Sequence, residues 1–196
     1  MDKINFTMQK LLTKNILLAV MLLFLIMLTR ASHELTSLNL PDASLAIFIA
    51  AGIFLKHRKF LFLFVALIVS VDVYMININN MTHINFETSY LGHIFTYILT
   101  WELGRKFLSG DKSLKAKLFF SIAFLAIASS YIISFSSHYF LSGWISNPNF
   151  YDGLSYLGSY FNSFFIPNAV YVGILYVAFK IIQQLPKLTT STNKIN

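Results

Sequence analysis

The sequence predicts an all-α integral membrane protein: a single domain, residues 1–196, built as a six-transmembrane-helix bundle with both termini cytoplasmic. Three observations carry that reading. Of 196 residues 56% are hydrophobic, only 12% are charged, and the apolar residues fall into separate runs divided by polar punctuation. A water-soluble domain carries about 25% charged residues, so soluble enzyme folds and DNA-binding domains are excluded. A span needs roughly 20 residues, which leaves room for five or six helices and none for a soluble domain. The absence of cysteine closes disulfides, thiolate metal sites and thiol nucleophiles.

Taken in order, the first run is 16–29, preceded by Lys3, Lys10 and Lys14 and closed by Arg30. A cleaved signal peptide competes for this segment, with Ala31 as cleavage residue. Arg30 sits poorly beside such a site, and the basic stretch before the run is long. The second run, Ala43 to Leu55, is short for a bilayer core of about 30 Å at 1.5 Å per residue. Its helix is therefore expected over 40–55 or to stop against other protein, with Asp42 as N-cap. The remaining helices are expected over 60–78, 89–104, 118–136 and 160–182, and a disordered polar tail over 189–196.

The basic residues test the count, because Lys and Arg of short loops stay on the cytoplasmic side. With the N-terminus inside, 14 of the 15 Lys and Arg fall on inner segments, and Arg30 alone lies outside. Confinement to one side also accounts for the net charge of +7 without nucleic acid. The outer segments are aromatic and rich in amides: Asn39 and Asp42, then Asn79, Asn80, Met81 and His83, then His138, Trp144, Asn147, Tyr151 and Tyr156, with Tyr90 just inside helix four. Amides and phenols on an apolar body suit a cavity for a large, amphipathic, uncharged ligand. The same residues could equally form an interfacial aromatic belt over solvated loops. The stretch 137–159, with Gly143, Pro148, Gly153 and Gly158, is expected to be a long outer loop and a lid. Pro167 should free a carbonyl in helix six, tolerable in a membrane beside a cavity.

Two acids lie within spans, where charge is costly. Asp72, 12 residues past Phe60, sits about 18 Å from the inner side, and His93 at similar depth is its expected partner. The two could form a proton or ligand site, or a hydrogen bond that holds the bundle. Glu102, three residues before Arg105, is expected in an i to i+3 ion pair. The sequence has no Walker motif, HExxH or nucleophile constellation, so the chain is read as no enzyme and as having no cofactor of its own. The other readings are a membrane sensor or assembly subunit and an intramembrane enzyme using Asp72 and His93.

Arg30-Ala-Ser-His33 followed by Leu40-Pro-Asp-Ala-Ser-Leu-Ala-Ile-Phe-Ile-Ala-Ala-Gly52 resembles the helix-one to helix-two junction of BtuM-type proteins, which are related to the substrate-binding S-components of energy-coupling-factor transporters. The likeness runs more loosely through Val71-Asp72-Val73-Tyr74, Ser89-Tyr90, Tyr97 and Trp101 to Gly104-Arg105, covering roughly residues 28–106. It implies an S-component-like bundle in a bacterial inner membrane that takes up cobalamin, or a related corrinoid, through a periplasmic cavity. It also implies an energy-coupling-factor transmembrane and ATPase module as partner, or solitary action. The family can carry a cysteine after helix three that coordinates the corrin cobalt, and this chain has none. Its counterpart falls between Asn80 and Asn85, where His83 is the candidate axial ligand and Met81 the softer alternative; the equal alternative is a corrinoid bound with no protein ligand to its cobalt.

Overall fold

The computed structural model of the chain describes residues 2–30, 40–79, 88–109 and 115–192. Among them every regular element is helical. The elements are α1 Asp2–Arg30, α2 Ser44–Leu55, α3 Arg58–Asn79, α4 Thr88–Leu103, α5 Ala116–Leu141 and α6 Phe150–Thr192, with a π-helical turn, Gly104–Leu108, continuing α4. Two are long and apolar enough to cross a membrane, Ala116–Leu141 and Phe150–Ile181; Asn15–Arg30 and Ser44–Leu55 are shorter apolar helices.

The short second run is explained by its position. Helix α2 is apolar around its whole circumference and every residue except Phe54 is buried, as expected of a helix enclosed by others. It touches all five of the other helices. One side packs Phe48 and Leu55 with Ile26 of α1, Phe64 and Ile68 of α3 and Trp101 of α4. The other packs Ala46, Ile49 and Ile53 with Phe119 and Ala123 of α5 and Val172 and Phe179 of α6. A central helix of 12 residues needs only the thickness of its neighbours, and so ends within protein.

Helices α2 and α4 cross closely. A Cβ placed on Gly52 would strike the Trp101 carbonyl oxygen, and one on Gly104 would come within 2.7 Å of the Ile49 carbonyl. Both glycines are there for the approach of two backbones.

Three expectations are corrected. Helix α2 starts at Ser44 rather than 40, while the other helices run past the apolar runs, most of all α1, which starts at Asp2 rather than 16, and α6, which covers Phe150–Thr192 rather than 160–182. Residues 189–192 of the expected tail continue α6. The expected lid over 137–159 is mostly helix, because α5 continues to Leu141 and α6 begins at Phe150. The reason is an aromatic zipper: Tyr131, Phe135 and Tyr139 recur every fourth residue on α5, as do Tyr156, Tyr160 and Phe164 on α6. Phe135 stacks on Tyr160 at 5.3 Å, Tyr139 meets Tyr156 at 5.3 Å, and Tyr131 meets Phe164 at 5.3 Å. The Tyr131 hydroxyl also donates to the Leu157 carbonyl. Gly153 fits this interface, where an added Cβ would stand 3.1 Å from the Tyr139 ring.

Candidate functional site

Arg30 is the last residue of α1, where the helix dipole favours a cation, and Asp42 precedes α2, where it favours an anion. Asp42 stands one residue before the cap position, Ala43, yet its Oδ1 accepts from the Ser44 backbone N–H at 2.9 Å and the Ser44 hydroxyl at 2.5 Å. The two charges meet: Arg30 Nη1 donates to Asp42 Oδ2 at 2.8 Å and to the Tyr97 hydroxyl at 2.8 Å. The other edge of the guanidinium grips Asp72, Nε to Oδ1 at 2.6 Å and Nη2 to Oδ2 at 2.7 Å, the two-pronged geometry that suits arginine and carboxylate. The Tyr90 hydroxyl donates to Asp72 Oδ2 at 2.6 Å. Asp72 is almost wholly buried, its side chain 4% exposed against 17% for Arg30 and 42% for Asp42.

This overturns the pairing of Asp72 with His93. The carboxylate is claimed by Arg30 and Tyr90, while His93 Nδ1 shares a hydrogen bond with Ser134 Oγ of α5 at 2.9 Å. Asp72 thus joins α3 to α1 and α4, and His93 joins α4 to α5. The ion pair expected for Glu102 is present, Arg105 Nη2 to Oε2 at 2.5 Å, and Arg58 adds a second cation at 3.0 Å.

Above the charged cluster lies a cavity of about 340 Å³, lined by Arg30, Pro41, Asp42, Leu45, Asp72, Tyr90, His93, Thr96, Tyr97, Ser130, Ser134, Phe135, Ser163, Phe164, Pro167 and Asn168. All six helices and the segment before α2 contribute to it. Its wall on α6 surrounds the proline: Pro167 has no N–H for the carbonyl four residues back, Ser163, and both residues face the cavity. One formal cation against two carboxylates leaves the lining at −1 with His93 neutral. Such a cavity can seat a small neutral or cationic group among hydroxyls, an amide and an imidazole, and disfavours anions.

Of the residues singled out in the sequence, Asp42, Asp72, Tyr90 and His93 converge here. Trp144 and Tyr151 are exposed at the α5–α6 turn and the start of α6, and Tyr156 belongs to the aromatic zipper; none of the three lines the cavity. Asn39, Asn80 and His83 lie outside the described residues, as does the side chain of Asn79. Among the described residues no group of three or more His, Asp or Glu side chains converges as a metal site. Sequence reasoning passed over Arg30, Tyr97, the serines of α5 and Asn168. Arg30 carried a signal, being the single cation outside the inner segments in a chain with a buried acid to neutralise. A second cavity of about 340 Å³, between α1, α2 and α6, is lined almost entirely by aliphatic side chains such as Leu22, Ala46, Ile47 and Leu175. No family model matches the chain, and no curated protein matches it.

Proposed function

We propose that the chain is a six-span inner-membrane protein with both termini cytoplasmic, an S-component-like carrier that binds cobalamin or a related corrinoid from the periplasm and delivers it inward. The observation that carries the reading is the polar cavity among Arg30, Asp72, Tyr90, His93 and Asn168, set within an apolar bundle. Buried polar groups in a membrane are costly and mark functional sites, and these lie at the end of the bundle that the positive-inside rule places outside. Arg30, Asp42, Asp72, Tyr90 and Tyr97 fall within the stretch resembling BtuM-type proteins, and their interlocked hydrogen bonds give that shared pattern a physical purpose. Corrinoids are uncharged or cationic at their core and carry peripheral amides, which suits a lining of net charge −1.

Ligand pockets for drug-sized molecules span roughly 300–1,000 Å³, so a cavity of about 340 Å³ takes one edge of a corrinoid, with the rest beyond the mouth. Transport then proceeds by movement of the helices around the rigid cluster, in company with an energy-coupling-factor module or alone. The hydrogen bonds to Asp72 support a role in holding the bundle more than in catalysis. The test is uptake. Cells lacking any other inner-membrane route for cobalamin, and expressing the chain, accumulate radiolabelled cobalamin; accumulation no greater than with empty vector contradicts transport.

A further inference from the structure

Asn168 is an internal residue of α6, 6% exposed, and lines the cavity together with the Arg30 cluster. Its Nδ2 donates to the Phe164 carbonyl at 2.8 Å. That contact fixes which way the amide points, because turning it over would set two carbonyl oxygens against each other. Oδ1 is left as a buried acceptor with no hydrogen-bond partner. A buried polar atom without a partner carries a desolvation cost of about 1–3 kcal/mol, and such groups call for an explanation. Here the explanation is at hand: the atom belongs to a cavity-lining side chain. Pro167 beside it withholds the usual helical donor from Ser163, so this wall of α6 offers acceptors where an unbroken helix would offer none. The guanidinium of Arg30, the strongest donor in the cavity, already commits four of its five N–H groups to Asp42, Asp72 and Tyr97, and its charge is more than matched by the two carboxylates.

We infer that Asn168 is a ligand-contact residue whose Oδ1 accepts a hydrogen bond from an N–H of a neutral or cationic ligand, a carboxamide N–H in the first instance. The inference rests on the reading that this cavity is a ligand site, and deepens it by naming the group the ligand must present. A corrinoid would enter with one peripheral amide, not with its cobalt. Asn168 then sets the difference between an amide and the corresponding carboxylate, which brings an acceptor to an acceptor inside a lining of negative charge.

The test compares wild type with Asn168→Leu, which keeps the volume and removes the acceptor, and Asn168→Ala, which adds no bulk. Each is purified in detergent and its melting without ligand is recorded, followed by cyanocobalamin affinity. The expected result is unbound melting close to wild type with affinity at least tenfold weaker in both variants. Affinity within twofold of wild type in a folded variant overturns the assignment. Should Asn168→Leu fail to fold, Asn168→Ala decides. Should wild type itself bind no cyanocobalamin, the corrinoid reading falls, and Asn168 is judged separately with nicotinamide, a neutral primary amide small enough for about 340 Å³. Stabilisation of wild type but not of Asn168→Ala supports the assignment; equal melting curves with and without nicotinamide overturn it.

Discussion

At the residue scale the molecule turns on one guanidinium that serves two acids of unequal burial. Removing one partner of a buried ion pair typically costs about 3–5 kcal/mol, because the other is left charged and unpaired, whereas exposed pairs are worth about 0–1 kcal/mol. Asp72→Leu is therefore expected to lower stability by about 3–5 kcal/mol, read as a fall in melting temperature in detergent. Asp42→Asn should cost about 1 kcal/mol or less, since its side chain is 42% exposed. The double variant Arg30→Met with Asp72→Leu should recover part of the loss by removing both charges together; a double variant no better than Asp72→Leu alone would show that the pair acts through something other than mutual neutralisation. That Asp72 needed a partner was legible from its place in an apolar run. Its partner was not, because Arg30 lies 42 residues away in the chain and no local spacing encodes that meeting. Asn168 left no signal at all, since one amide among aromatics looks the same whether its oxygen is bonded or free.

At the element scale, six apolar runs became six helices, and of the two readings that the shortness of the second run left open, an earlier start near Leu40 or an end against other protein, the structure has the second. Helix ends were less legible. Hydropathy marks where a helix meets apolar surroundings, while backbone hydrogen bonding continues through polar and aromatic residues, as in α1 from Asp2 and α6 from Phe150. Glycines over 153–158 drew attention away from the fourfold spacing of Tyr156, Tyr160 and Phe164, which is the helical signature that sets the α5–α6 interface. The glycines themselves separate by environment. Gly52→Ala should destabilise strongly, because the new methyl meets backbone of α4 that cannot swing aside. Gly158→Ala and Gly173→Ala, where an added Cβ meets nothing within 4 Å, should be neutral or stabilise by about 0.4–1 kcal/mol. Melting of the three variants side by side checks the α2–α4 crossing; a harmless Gly52→Ala would contradict it.

For the whole molecule, the charge asymmetry and the placement of the polar cavity argue together for one orientation across the bilayer. A chain without cysteine is its own background for mapping that orientation. Ser146→Cys, in the exposed turn between α5 and α6, should react with a membrane-impermeant maleimide in intact spheroplasts. Lys117→Cys, at the start of α5, should react only after permeabilisation. The opposite pattern would invert the bundle and put the cavity on the cytoplasmic side. The most direct measurement of the central claim, that this cavity holds a corrinoid, is the visible absorption spectrum of the purified protein after incubation with cobalamin and removal of free ligand. The account predicts retained corrinoid at close to one per chain, lost in Asp72→Leu if the cluster shapes the cavity; no corrinoid retained by wild type at micromolar concentration would contradict it.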